Sequence, residues 1–120
     1  MLIGEFSAET GISCSALRYY EDKGLIRVNR DFGNRRIYSE NDVEWVRFIE
    51  RLKNTGMPLR EIKRYSDLRY EGDSTVKERL NILLRHSSYV TEQRRKWEEY
   101  EENLKSKISF YRKALDKCSD

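Results

Sequence analysis

Proline and histidine each occur once in this chain of 120 residues, and cysteine twice. With Pro58 alone, proline-rich linkers are excluded and long stretches are free to form helix. Cys14 and Cys118 stand far apart, match no paired zinc-ligand spacing, and are too few for a disulfide framework, so a reducing compartment, the cytoplasm, is the expectation. No apolar run approaches the roughly 20 residues of a membrane span. The opening MLIGEF is too short and too acidic for a signal peptide. A lone histidine, His86, with no paired catalytic spacing and no glycine-rich phosphate loop, leaves no enzyme chemistry to assign and no cofactor or metal to expect.

What the chain has in quantity is charge, 38% of its residues, almost balanced at 24 basic against 21 acidic. The small net charge of +3 says little about a polyanionic partner, so the local distribution decides. From Arg18 to Arg36 six basic residues face three acidic ones, and from Arg47 to Arg64 six face two. Both basic clusters fall in the first seventy residues.

Ile3, Phe6 and Ala8 have helical spacing that Gly11 ends, and Ser13 is placed to cap a second helix running through Leu17 to about Asp22 before Gly24. Two short helices joined by a glycine-bearing turn form the helix-turn-helix pattern, whose second helix enters the major groove of DNA. Ile26 and Val28, the turn signal DFGN and the returning Ile37 predict a small hairpin. Ser39 with Asp42 predicts a capping box, with Tyr38 and Val43 as a hydrophobic staple. The third helix would point Val43, Val46, Ile49 and Leu52 inward, with Trp45 and Phe48 at the borders, and end at Gly56. Pro58 opens a fourth helix with Leu59, Ile62, Tyr65 and Leu68 facing in.

YEGDST separates this unit from the last element, which Ser74 or Thr75 can cap with Glu78 in the returning role. From Val76 two seams recur every seven residues: Val76, Leu83, Val90, Trp97, Leu104, Tyr111, and Leu80, Ser87, Arg94, Glu101, Ile108, Leu115. Six heptads in register predict a coiled coil, and a rod of about 60 Å for forty residues is longer than so small a domain can cover, so a homodimer follows. An antiparallel register sets Val76 against Leu115, Leu80 against Tyr111, Leu83 against Ile108 and Arg94 against the face of Trp97. A parallel pair would stack Arg94 on itself. The predicted architecture is thus mainly α: a winged helix-turn-helix over residues 1–70, a linker over 71–75, and a long antiparallel coiled-coil dimerisation helix over 76–117.

On the second helix Leu17 and Tyr20 share one face, so Tyr20 is a core candidate, whereas Arg18 and Tyr19 point elsewhere and can face DNA; a solvated helix surface would read the same. Arg35 and Arg36 are candidate wing contacts, and Tyr38 can pack its ring while turning its hydroxyl out. IGEFSAETGIS, LRYYEDKGLI, RRIYSENDV and FIERLKNTGMPLREI, in this order, resemble the MerR family of bacterial transcriptional regulators. That resemblance implies an antiparallel dimer bound to a pseudo-palindrome between promoter elements. It also implies bending and untwisting of double-stranded DNA, so that RNA polymerase can use both elements. It places DNA contacts on Arg18, Tyr19, Arg36, Tyr38 and, in a second helical wing, Arg60, with Ser15 and Arg35 as further candidate contacts beside them. Asn34 and Arg35 stand where the family wing has Gly and Tyr.

Metal-sensing relatives carry a cysteine at the start of the dimer helix and a pair beyond it, whereas here Ser74, Thr75 and a lone Cys118 occupy those regions, so no metal is expected. Cys14, in the second helix, is a small DNA-facing or half-buried residue or else a redox switch. The heptads run almost to the last residue, as expected of a small member with no C-terminal effector domain. A small-molecule effector, if one exists, would sit near Tyr65, Tyr70 and Tyr89. Two other readings share these features: a coiled-coil protein whose basic head binds acidic protein partners, and an excisionase-like architectural DNA-binding protein.

Overall fold

Helix α1 (Ile3–Thr10) ends where Gly11 turns left-handed (φ 74°) and donates its N–H to the Ser7 carbonyl. Ser13 then caps α2 (Cys14–Asp22), its hydroxyl accepting the Ala16 N–H at 3.1 Å. A two-stranded antiparallel hairpin follows, β1 (Asn29–Arg30) paired with β2 (Arg36–Ile37). Helix α3 (Glu40–Asn54) starts with the expected capping box, Ser39 and Asp42 each accepting the other's backbone N–H. Pro58 caps α4 (Leu59–Glu71), a 3-10 turn spans Asp73–Thr75, and α5 covers Val76–Ser119. The computed structural model describes residues 1 to 119, in two compact units that divide after Leu83. Among the described residues no helix is long and apolar enough to cross a membrane.

The first unit is built on a core of Phe6, Leu17, Tyr20, Leu25, Val46, Ile49 and Ile62, all nearly inaccessible to solvent. Helix α1 packs on α2 and α3, and α3 packs on α4. Phe6 stacks on Tyr38 with ring centroids 4.1 Å apart, and the backbones of Met1 and Tyr38 exchange two hydrogen bonds of 2.8 and 2.7 Å. The N-terminal residue is thereby tied to the end of the hairpin. Leu25 follows Gly24, whose φ of 75° lets the chain leave α2 and turn back under the core. The Leu25 carbonyl accepts both the Trp45 indole N–H at 3.0 Å and the buried Ser66 hydroxyl. One carbonyl therefore fixes the exit of α2 against α3 and α4 at once.

Five expectations change. Ile26 is core rather than strand, and with Val28 it precedes the ladder, because the chain must first run inward after Gly24. Trp45 is buried, not bordering: its ring stacks on Tyr65 at 5.7 Å and is covered by the Arg69 guanidinium at 4.5 Å. Leu59 is exposed, since the first residue of α4 lies beyond the packed stretch of that helix. Thr75 does not play the expected cap: its buried hydroxyl donates to Leu68 and Gly72 carbonyls at the end of α4, and Glu78 instead pairs with Arg64 at 3.1 Å. Ile82, outside both heptad seams, is buried in the first unit's core, and Leu83 packs partly against it.

In the second unit the helix keeps Trp97, Tyr100, Leu104, Ile108, Phe110, Tyr111 and Leu115 exposed. Arg94 pairs loosely with Glu98 one turn on, at 3.7 Å, and Lys105 with Glu101 at 3.3 Å. Exposed pairs of this kind stabilise a helix by only a few tenths of a kcal/mol, ~0.3–0.5 each.

Candidate nucleic-acid interface

The cap at Ser13 fixes which residues α2 turns outward. Leu17 and Tyr20, three apart, go into the core, and Ser15, Arg18 and Tyr19 are left exposed on the rest of the surface. The Tyr20 hydroxyl is held inside by Glu50 of α3, and burial, together with that carboxylate, pushes its ionisation well above the usual phenol range. Of the adjacent tyrosines, then, Tyr20 is an anchor and Tyr19 a surface ring, with the Lys23 ammonium 5.6 Å from its centroid. Arg18 makes no hydrogen bond or ion pair among the described residues, so its guanidinium is available.

The wing is tied to this helix by one carboxylate. Glu21 accepts from Arg30 of β1 at 3.0 Å with one oxygen and from Arg36 of β2 at 2.5 Å with the other. The hydrogen bond to Glu21 raises the Arg36 pKa further, so both wing arginines are fixed charges held beside the recognition helix. Tyr38 lies among them. Burial raises its pKa, Glu21 adds to the rise, and Arg36, Arg18 and Arg30 act against it. The Tyr38 hydroxyl is not turned out to solvent: among the described residues it is the buried side-chain polar atom left without a hydrogen-bond partner. Phe6 stacking draws the ring fully inward, so the hydroxyl is carried in with it.

At the wing's turn Asp31 organises the backbone. One carboxylate oxygen accepts the N–H groups of Gly33 and Arg35, both at 2.9 Å, and the other accepts Arg35 Nε at 2.9 Å. Accepting the Arg35 N–H, with the Arg35 guanidinium and the Gly33 N–H in support, holds this carboxyl below the usual range although desolvation opposes it. Asn34, not Gly33, takes the left-handed conformation, at φ 61°. An Asn in place of the family's glycine still closes the hairpin because Asn tolerates this region. Phe32 projects from the tip, fully exposed, and the base of the wing forms a cleft of about 320 Å³ with Leu2, Ile3, Arg30, Asn34, Arg35 and Arg36.

The structure thus ties Arg36 to α2 through Glu21, buries Tyr38 at the end of the hairpin, keeps Ser15, Arg18, Tyr19 and Arg35 exposed on α2 and the wing, and leaves Arg60 exposed in the first turn of α4 without an ion pair among the described residues. Sequence reasoning missed Glu21, whose partners lie nine and fifteen residues on and leave no local signal. It also missed the organising role of Asp31, whose place two residues before Gly33 is an Asx-turn signal. Tyr65 and Tyr70, offered for an effector, are engaged: Tyr65 stacks on Trp45, and the Tyr70 hydroxyl accepts the Arg27 N–H at 3.0 Å. Cys14 is half-buried, with its thiol 3.9 Å from the Ile3 carbonyl.

An exposed helix face bearing Arg and Tyr, braced against a basic hairpin, belongs to the DNA-binding transcriptional regulators with a winged helix-turn-helix. This chain is a member of the MerR family. The sequence pattern described as MerR HTH family regulatory protein matches residues 1–68, and that described as MerR, DNA binding matches residues 43–107. An uncharacterized HTH-type transcriptional regulator of Haemophilus influenzae is 40% identical over 87% of this chain and 78% of its own length. The HTH-type transcriptional regulator AdhR of Bacillus subtilis is 39% identical over 69% of this chain and 60% of its own. Among solved structures, that of HiNmlR, a MerR family regulator lacking the sensor domain, bound to promoter DNA, is similar with a TM-score of 0.86 and 34% identity, covering 94% of this chain and 90% of that one. A MerR family transcriptional regulator from Listeria monocytogenes gives a TM-score of 0.88 at 27% identity, over 92% and 85% of the two chains.

Proposed function

We propose that the chain acts as a homodimer on a pseudo-palindromic promoter operator, in the cytoplasm and without enzymatic activity. The observation that carries this reading is the Glu21 fork, which ties Arg30 and Arg36 of the wing to the recognition helix that bears Arg18, so that helix and wing meet a groove and its flanking phosphates as one cationic surface. Ser15, Arg18 and Tyr19 meet base edges and phosphates in the major groove, Arg35 and Arg36 meet the flanking backbone, and Arg60 meets phosphate further along. When the operator arrives, a phosphate drawn in by Arg18 and Arg36 competes with Glu21 and gives the unpartnered Tyr38 hydroxyl an acceptor.

The dimer forms through α5. Val76, Leu80, Trp97, Leu104, Ile108, Tyr111 and Leu115 are all exposed apolar residues at heptad positions, joined by Leu83, Val90 and Arg94 in the seam. In the antiparallel register the Arg94 guanidinium exchanges its loose pairing with Glu98 for the face of the partner's Trp97. Two heads set in opposite senses bend and untwist the DNA between them, letting RNA polymerase engage promoter elements that are otherwise badly spaced. A small-molecule effector has no assigned place in this scheme.

The test uses the chain's own promoter region. Replacing Arg18 and Tyr19 together by Ala should abolish sequence-specific binding in a salt-titrated anisotropy assay while sedimentation still reports a dimer. Unchanged binding by a dimeric variant would move the interface elsewhere.

A further inference from the structure

Phe32 is the most exposed aromatic side chain described, at 112% of its reference surface. Single exposed apolar residues are common on protein surfaces and need no explanation alone. Three features set this one apart. The turn that carries it is locked: Asp31 accepts three hydrogen bonds from Gly33 and Arg35, the Asp31 N–H bonds the Arg35 carbonyl at 3.0 Å, and the Asn34 N–H bonds the Asp31 carbonyl at 3.0 Å. The ring is therefore held out on a stiff support rather than on a loose loop, which lowers the entropy lost when it is seated. The hairpin beneath it bears Arg30, Arg35 and Arg36, three arginines that also line the cleft at its base, a surface complementary to a polyanion. And the wing is continuous, through Glu21, with the recognition helix.

We propose that Phe32 is an apolar wedge that the wing carries into the minor groove of double-stranded DNA flanking each half-site. The proposal rests on the operator-binding reading above. With the arginines on backbone phosphates at either side, the tip meets the groove floor, where the chemistry available to a phenyl ring is contact with sugar edges and partial entry between base pairs. Apolar side chains inserted in this way unstack one step and bend the duplex toward its major groove. Pyrimidine–purine steps open most easily, so the wedge confers a preference for TA or CA/TG at a position that no polar side chain reads. Partial unstacking at the two flanks adds to the bending at the operator.

The test compares the full-length protein with Phe32→Ala and Phe32→Trp on an operator that the unaltered protein protects, with 2-aminopurine placed in turn at each flanking step. Binding of the unaltered protein should raise the fluorescence at one step on each side. Phe32→Ala should lose that rise and bind roughly tenfold more weakly, the size of one aromatic–base contact, with an unchanged salt slope because no phosphate contact is removed. Phe32→Trp should keep both the rise and the affinity. Replacing the flanking TA by GC should weaken the unaltered protein and leave Phe32→Ala indifferent. Equal affinity and equal fluorescence for Phe32→Ala would overturn the proposal while leaving the operator reading standing. So would a variant that binds DNA normally but fails in transcription, since the tip would then meet the polymerase. Failure of the unaltered protein to bind any operator would overturn both.

Discussion

Replacing Tyr38 by Phe removes a single oxygen and leaves the stacked pair with Phe6 intact. In the free fold that oxygen is buried and unpartnered, and a hydroxyl taken from water without a compensating hydrogen bond costs about 1–3 kcal/mol. Deleting it should therefore leave stability unchanged or raise it by about 1 kcal/mol, less than the full desolvation term because the small gap left behind costs something in return. Urea unfolding followed by circular dichroism measures this, with both proteins at one concentration because the stability of the proposed dimer depends on it. Operator affinity should move the opposite way. A hydrogen bond from the hydroxyl to a charged phosphate is worth about 1.5 kcal/mol, so each half-site should lose somewhat more than tenfold. A variant destabilised by more than about 1 kcal/mol would show that the hydroxyl has a partner in the free protein, refuting the reasoning at its first step. A variant of unchanged stability and unchanged affinity would remove Tyr38 from the interface.

Three further outcomes follow from the same packing. Trp45→Phe and Ser66→Ala each leave the Leu25 carbonyl one donor, whereas the double variant strands a buried carbonyl, so its cost should exceed the sum of the singles by about 1–2 kcal/mol in a double-mutant cycle, and simple additivity would contradict the shared acceptor. Gly24→Ala forces a side chain into a left-handed position (φ 75°), with its Cβ 2.9 Å from the flexible Lys63 side chain, and should cost about 1 kcal/mol, mostly in backbone strain; an unchanged melting temperature would contradict this. The Asp31 carboxyl is depressed in the folded wing, so its contribution is present above the ordinary carboxylate range and is lost as pH falls through the folded value. In an NMR pH titration the Gly33 and Arg35 amides should hold their shifts down to below about pH 4 and then move together; movement centred above that range would contradict the lock.

Much of the head is legible from local signals, because caps and glycine turns act over three or four residues. Ser13, Ser39 with Asp42, Gly11 and Gly24 each stand where the structure uses them. The split between Tyr19 and Tyr20 follows from helical period alone. What escaped depends on distant partners. Trp45 is drawn inside by α4 and by a carbonyl twenty residues back, and Thr75 is taken over by the end of α4. Ile82 shows the limit of heptad counting. The first turns of α5 serve two masters, and a residue outside both seams is claimed by the core of the first unit. At the candidate interface the residue types stood out, since Arg18, Arg35 and Arg36 lie in a dense basic cluster of the sequence. The pairing of Arg30 and Arg36 with Glu21 did not, because salt bridges between a helix and a hairpin have no sequence period.

In the proposed dimer two such heads, joined through α5, read one duplex in two related places. Hydroxyl-radical footprinting of the chain's own promoter region with purified protein tests it most directly. Two protected half-sites related by a dyad are expected, their centres a whole number of helical turns apart, with heightened cleavage between them where the DNA is distorted. A single unsymmetrical footprint, or uniform weak protection along the fragment, would contradict it.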